Sequence, residues 1–110
     1  KYKLNKLITV MDYNKVQLDG KVEDIMPIEP IRQKWEAFNW SVLEINGHNM
    51  KEILEALDKA TEAGDKPTVI IAHTVKGKGV SYMEGKSDWH GKVPNDDEFK
   101  VAMEELKAHV

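Results

Sequence analysis

Three short apolar runs, separated by amphipathic stretches, dominate the pattern along the chain. The runs are Leu7–Met11, Trp40–Ile45 and Thr68–Ala72, and the first and last show no alternation of apolar and polar residues. Short apolar runs without alternation are typical of strands that are buried on both faces of a sheet. Because helical patterns lie between the runs, the chain is predicted to be α/β, with right-handed crossovers and a parallel sheet that carries helices on both faces.

Three helices are predicted from apolar residues spaced three and four positions apart, the stripe that an amphipathic helix buries. Their apolar positions are Ile31, Trp35 and Phe38; Met50, Ile53, Leu54 and Leu57; and Phe99, Met103 and Leu106. Asn95 and Glu98 have the spacing of a capping box at the start of the last helix.

The loops that follow the strands are the places to look for a site, because ligands of parallel sheets bind beyond the carboxyl ends of the strands. These loops are Asp12–Gly20, Asn46–Asn49 and His73–Trp89, and the first begins with a polar turn that is expected to end its strand. We also expect Leu7–Met11 or Thr68–Ala72 to form an open sheet edge.

Composition excludes several classes of function. The length of 110 residues fits one compact domain, and a net charge of -3 gives no reason to expect nucleic acid or an anionic membrane as a partner. The chain has no cysteine, which excludes disulfides and thiolate chemistry and suits the cytoplasm. Its longest apolar run, Val69–Ala72, is far too short to span a bilayer.

The first loop contains oxygen ligands that suit a hard cation. The Asn14 side-chain oxygen and the Val16 backbone carbonyl, two residues apart, could supply half of a magnesium site, because Mg²⁺ binds oxygen atoms and shares its shell with phosphates. On spacing alone, an Asx-turn that ends a strand is the better explanation of Asn14.

The long third loop holds two further candidates. Lys76–Gly79 interleaves lysine with glycine, so its backbone could approach an anion closely, although a solvated basic turn has the same composition. His90 could donate to a phosphate oxygen or carry a proton. Gly79–Ser87 resembles a Walker A loop, but it has one residue too many between the glycines, and no helix pattern follows.

These pieces together resemble the thiamine-diphosphate-binding domain of transketolases. Asn5–Gly20 is similar to the second half of the cofactor motif, and Trp35–Trp40 followed by Glu44–His48 is similar to the next helix and strand. Thr74–Val80 and Trp89–Asn95 are similar to the loop that closes over the diphosphate. The resemblance runs from Tyr2 to Leu106 and is closest to the split form, in which the N-terminal section is a separate subunit.

The resemblance implies roles for five residues. Asn14 would give its side-chain oxygen, and Val16 its backbone carbonyl, to Mg²⁺. Gln17 would lie near the rings of thiamine diphosphate, and Lys76 would reach the cofactor region. His90 would contact the diphosphate and face the substrate as the catalytic residue.

The implied reaction moves a two-carbon ketol unit from a ketose phosphate to an aldose phosphate, a step of the pentose phosphate pathway. The family's Gly-Asp-Gly, with a further magnesium ligand, should lie upstream, so residues 1–110 are expected to be the C-terminal part of the binding domain. The chain alone is expected to be inactive and to act with a C-terminal transketolase section or second subunit, in a dimer or other homo- or hetero-oligomer. The alternatives are a non-catalytic interaction module of the same fold and a simple sugar- or nucleotide-phosphate binder.

Overall fold

The computed structural model describes residues 2–62 and 64–108. Its strands are β1 (Ile8–Tyr13), β2 (Val16–Gln17), β3 (Gly20–Lys21), β4 (Ser41–Asn46) and β5 (Thr68–His73). Its helices are α1 (Val22–Ile25), α2 (Ile31–Ala37), α3 (Met50–Glu62) and α4 (Asp96–Lys107), with a one-turn 3₁₀ helix at Ser87–His90. The contacts divide the chain into two compact units. The first contains the residues up to Tyr13 together with Ile28–Thr74, and the second contains Asn14–Pro27 together with the residues from Val75 onward.

The first unit is a three-stranded parallel sheet in the order β1-β5-β4. The central strand β5 is buried along Thr68–Ala72, as its unbroken apolar sequence requires. Within the described residues, β1 and β4 are therefore the edges. The prediction of an open edge at Leu7–Met11 is confirmed, whereas the alternative at Thr68–Ala72 is wrong because β5 has a strand on each side.

Helices cover both faces of this sheet, which confirms the predicted α/β fold class. On one face, Ile31 of α2 packs against Val69 and Ile71. On the other face, Ala56 and Ala60 of α3 pack against Ile70. Successive side chains of a strand point to opposite faces, so β5 supplies apolar contacts to both layers.

The apolar face predicted for α3 is wrong in detail. Met50 and Leu54 are 70% and 58% exposed, whereas the buried residues are Ala56 and Ala60. Small side chains allow the helix backbone to approach the sheet closely, so the stripe that contains alanine faces the sheet. Met50, Leu54 and Leu57 lie on a neighbouring stripe that remains exposed, whereas Ile53 is half-buried on the alanine side.

Strand β1 continues two residues beyond its predicted end at Met11. Asp12 and Tyr13 were expected to turn, but they pair in parallel register with Ala72 and His73. The Thr74 hydroxyl donates a hydrogen bond to the Asp12 carboxylate. The buried Tyr13 is also held, because its hydroxyl donates to a Glu29 carboxylate oxygen at 2.6 Å. Side-chain partners therefore extend the strand through two polar positions.

The second unit contains the antiparallel pair β2–β3, helix α1, the long loop and helix α4. The predicted capping box of α4 is confirmed, since Asn95 and Glu98 exchange side-chain to backbone hydrogen bonds. The predicted buried stripe is wrong, because Phe99 is 54% exposed and Ala102 is the buried residue of the helix. No helix within residues 2–62 and 64–108 has the length and apolar content needed to cross a bilayer.

Candidate functional site

A tight turn at Asn14 directly follows β1 in the chain. The Asn14 side-chain oxygen accepts a hydrogen bond from the Val16 backbone N–H at 2.9 Å. Lys15 between them has a φ of 61°, the left-handed conformation that such turns use. The Lys15 carbonyl in turn accepts from the Val22 N–H at 2.9 Å, which anchors the turn at its base. The Asx-type geometry expected from the sequence is therefore present.

The hairpin register determines where the Val16 backbone points. Lys15 is bonded to Val22 across the hairpin, and Val16 is the next residue, paired with Lys21. Bonded and non-bonded pairs alternate in an antiparallel ladder, so Val16 occupies a non-hydrogen-bonded position. Its N–H and C=O therefore both point away from β3. The N–H points to the Asn14 side-chain oxygen, so the Val16 carbonyl leaves the hairpin on the side that carries the Asn14 amide.

This arrangement can present two neutral oxygen atoms to a hard cation. Among the described residues, no group of three His, Asp or Glu side chains converges as a metal site. A magnesium ion held by Asn14 and Val16 would thus need anionic oxygens from elsewhere, and Mg²⁺ commonly takes these from phosphates. The donor set fits a metal that is shared with a diphosphate. Gln17, half-buried, sits in the same hairpin opposite Gly20.

Lys76 lies at the start of a compact loop that closes on itself. The Gly85 N–H donates to the Lys76 carbonyl at 2.9 Å. Gly77 has a φ of 71°, and a Cβ at this position would lie 2.7 Å from the Met83 Cβ. Only glycine fits at Gly77 without displacing the backbone of Met83, so the glycine serves this tight turn.

A carboxylate of the loop itself occupies part of the anion-binding motif predicted at Lys76–Gly79. The Glu84 carboxylate accepts from the Gly79 N–H at 3.0 Å and lies 3.3 Å from the Lys78 ammonium. Lys78 and the Gly79 amide thus already bind an internal anion. Lys76, half-buried, is the lysine of this motif that remains for a ligand.

His90 ends the one-turn 3₁₀ helix and is exposed, whereas its neighbour Trp89 is half-buried. A cavity of about 210 Å³ lies between the hairpin residues Val16, Gly20 and Lys21 and the segment 85–88, which leads into this helix. The hairpin that follows the Asn14 turn and the segment that leads into the helix of His90 therefore line one cavity. Asn14, Gln17, Lys76 and His90 do not themselves line it.

Two groupings of side chains were missed by the sequence analysis. Lys21 and Lys86 line the same cavity as Val16, together with Asp88, and the Lys21 ammonium lies 3.4 Å from a Glu23 carboxylate oxygen. In the first unit, the Nε2 of His73 lies 2.8 Å from the Glu44 Oε2. Only the tertiary fold could reveal these pairs, since each joins segments that are far apart in the sequence.

Comparison with known proteins agrees with the resemblance seen in the sequence. The family model described as "Transketolase, thiamine diphosphate binding domain" matches residues 1–109. The chain is 40% identical over 109 residues to a subunit of the apulose-4-phosphate transketolase of Phocaeicola vulgatus, covering 99% of the chain and 39% of that subunit. It is 44% identical over 105 residues to a 6-deoxy-6-sulfo-D-fructose transketolase subunit of a Clostridium species, covering 96% of the chain and 38% of that subunit.

The fold is likewise that of solved transketolases. The crystal structure of the Campylobacter jejuni transketolase superposes with a TM-score of 0.88 at 34% identity, over 96% of this chain and 16% of that one. The chain spans about two fifths of the length of the curated subunits that it matches. On the family match and these identities, the chain belongs to the transketolase thiamine-diphosphate-binding domain family.

Proposed function

We propose that this chain is part of a transketolase that moves a two-carbon ketol unit from a ketose phosphate to an aldose phosphate, with thiamine diphosphate and Mg²⁺. The observation that carries the proposal is the turn in which Asn14 Oδ1 accepts from the Val16 N–H. This turn orients an amide oxygen and a backbone carbonyl to the same side of the hairpin. The family's link to thiamine diphosphate supplies the ligand that such a magnesium site would share.

The five residues have separate roles in this proposal. Asn14 and Val16 hold the metal through their oxygens, and Gln17 lies near the cofactor rings. Lys76 brings positive charge to the cofactor region. His90 donates a hydrogen bond to the diphosphate and faces the substrate. Thiamine diphosphate supplies the nucleophilic carbon and the electron sink that ketol transfer requires.

The substrate class is proposed from the relatives. Their names specify apulose 4-phosphate in one case and 6-deoxy-6-sulfo-D-fructose in another. Each name describes a sugar that carries an anionic group. We therefore propose sugar substrates with a phosphate or a similar anionic group for the protein to which this chain contributes.

We also propose that other segments complete the binding domain. Residues 1–110 would form the C-terminal part of the binding domain, and the Gly-Asp-Gly motif with its aspartate ligand would come from a further segment or from a partner protein. Such a partner is consistent with relatives that are themselves named as subunits and that extend well beyond the matched region. The open edge at β1 would be covered by the added structure, because long exposed sheet edges invite pairing.

A ketol-transfer assay tests the proposal. The complete protein, meaning this chain with any segment or subunit that is isolated with it, should turn over a ketose and an aldose phosphate, while the 110-residue chain alone should not. His90→Ala in the complete protein should lower kcat/KM by about 10²-fold, as loss of a positioned hydrogen-bond donor does. His48→Ala is the matched control, because His48 is exposed in the turn before α3.

Two results would contradict this function. Turnover by the chain alone would show that no further segment is needed. If His90→Ala and Asn14→Ala leave the turnover or the cofactor affinity of the complete protein unchanged, the alternative of a non-catalytic interaction module of the same fold is favoured.

A further inference from the structure

The indole of Trp89 is held on three sides. Its Nε1–H donates to the Tyr82 backbone carbonyl at 3.1 Å. The ring of Tyr82 packs against it with 5.0 Å between centroids and a 59° tilt. The Lys92 ammonium lies 4.1 Å from the centroid of the indole, a cation–π distance. Three contacts therefore hold this half-buried side chain.

The residues that hold Trp89 are themselves anchored to the start of α4. The Tyr82 hydroxyl donates to the Glu98 backbone carbonyl at 2.8 Å, and the Lys92 ammonium donates to a Glu98 carboxylate oxygen at 3.1 Å. Glu98 belongs to the capping box with Asn95. The hydrogen bond from the Asn95 backbone N–H, and then the one from the Lys92 ammonium, lower the pKa of Glu98. A continuous set of bonds therefore links the helix to the indole.

This clamp acts on the residue next to Trp89. Trp89 and His90 share one peptide bond, in a short turn whose backbone at Trp89 departs from helical angles (φ -81°, ψ 15°), so an anchored Trp89 also restrains the backbone of His90. With the indole fixed inward, the imidazole of His90 is directed outward, and it is exposed. Rotating the short helix to move His90 would require Trp89 to leave all three partners.

We propose that Trp89 is a positioning residue, clamped by Tyr82 and Lys92, that fixes the direction of the His90 imidazole toward the diphosphate. This inference rests on the proposed function, because it assumes that His90 contacts the cofactor. In this proposal, Trp89 itself contacts neither cofactor nor substrate. Its effect should therefore pass through His90.

A double-mutant cycle on cofactor binding tests this dependence. The Kd of thiamine diphosphate is measured by titration calorimetry on the complete protein with excess Mg²⁺. Trp89→Ala and His90→Ala should each weaken binding about tenfold, and the double variant should be little weaker than either, because residues that act as a unit are not additive. Trp89→Phe keeps an aromatic ring in the clamp and should weaken binding by about threefold or less.

Controls separate positioning from loss of fold. Trp40→Phe alters an indole that packs on Trp35 in the first unit, and it should leave the Kd unchanged. Circular dichroism verifies folding, and if Trp89→Ala does not fold, Trp89→Phe takes its place in the cycle. Additive effects of Trp89 and His90 would overturn the positioning role while leaving the proposed function intact. An unchanged Kd in His90→Ala would instead contradict the role of His90 and, with it, this inference.

Discussion

The Glu44 carboxylate and the His73 imidazole meet across neighbouring parallel strands, with 2.8 Å between Oε2 and Nε2. Arg32 of α2 donates to the other oxygen of Glu44 at 3.1 Å. The ring of Tyr13, on the third strand, packs edge-on against His73 with 5.6 Å between centroids. Side chains from all three strands and one helix thus join in a polar cluster in the first unit.

This pair makes stability depend on pH. The hydrogen bond from His73, and then the one from Arg32, lower the pKa of Glu44. A carboxyl whose pKa is lowered by folding stabilises the protein above its unfolded pKa of about 4.3, and that contribution is lost as the pH falls through the lower folded pKa. Because about a third of the Glu44 side chain is exposed, Glu44→Gln should cost about 0.5–1 kcal/mol of the unfolding free energy at pH 7.

Urea unfolding at neutral and acid pH measures this cost. The loss caused by Glu44→Gln should shrink toward zero as the pH falls below the folded pKa, since both proteins are then uncharged at this position. Glu55→Gln is the control, because Glu55 lies on the surface of α3 with its oxygen 3.8 Å from the Lys51 ammonium. A Glu44→Gln penalty that is the same at both pH values would contradict the ion-pair explanation.

The strand at the centre of the sheet should dominate the stability of the first unit. Ile70 is 2% exposed and packs under Ala56 and Ala60 of α3. Ile70→Ala should therefore destabilise the protein by about 2–5 kcal/mol, the range for large-to-small changes in a packed core. Leu54→Ala on the same helix layer should cost less than about 0.5 kcal/mol, because Leu54 is 58% exposed.

Thermal or urea unfolding of the two variants gives a direct comparison. The sequence pattern alone ranks Leu54 as a core residue of its helix, so it predicts a large loss for both substitutions. If Leu54→Ala destabilises the protein as much as Ile70→Ala does, the stripe of α3 that contains Leu54 is buried and not exposed.

The strands could be predicted from sequence more securely than the buried faces of the helices. An apolar run of five residues has few alternatives to a strand between helices, and all three runs are strands. A helix such as α3 offers two adjacent stripes, one with Leu54 and one with Ala56. Hydropathy favours the larger side chain, but close packing on the sheet selects the smaller one, and that choice depends on backbone distance.

The candidate site was likewise predictable from the sequence only in part. The Asn14 turn was predictable because Asn is suited to a turn that follows a strand. The β2–β3 hairpin was not, since each of its strands has only two residues and no periodic signal. The clamp on Trp89 was hidden even though the capping box of Asn95 and Glu98 was predictable from its spacing, because the contacts of Trp89 with the Tyr82 carbonyl and the Lys92 ammonium leave no mark in composition or spacing.

Hydrogen exchange at β1 should report on completion of the sheet. The Thr68 N–H donates to the Leu7 carbonyl and the Thr74 N–H to the Tyr13 carbonyl, which sets the ladder between β1 and β5. Alternate residues of a parallel strand bond to the same neighbour. With these two hydrogen bonds, the Thr9 N–H points toward β5 and the Val10 N–H points to the open edge. In the chain alone, the Val10 amide should exchange much faster than the amide of Thr9.

Adding the remaining segment or subunit should then slow exchange at Val10 while leaving Thr9 protected in both samples. Exchange is read residue by residue by nuclear magnetic resonance. Protection of Val10 in the isolated chain would mean that the edge is already paired, for example with a second copy. A Val10 amide that stays unprotected in the complete protein would contradict the covering of this edge by the added structure.

If this chain contributes metal and cofactor ligands to a transketolase, cofactor binding must depend on Asn14. The most direct measurement is the Kd of thiamine diphosphate for the complete protein at several Mg²⁺ concentrations, with Asn14→Ala compared to Asn5→Ala. Asn5 is a half-buried amide in the first unit that bonds the Gly64 carbonyl at 3.2 Å, and its loss should leave the Kd unchanged. Asn14→Ala should weaken binding at least about tenfold, with higher Mg²⁺ restoring part of the affinity. An Asn14→Ala protein that binds the cofactor with unchanged affinity and unchanged Mg²⁺ dependence would contradict the claim.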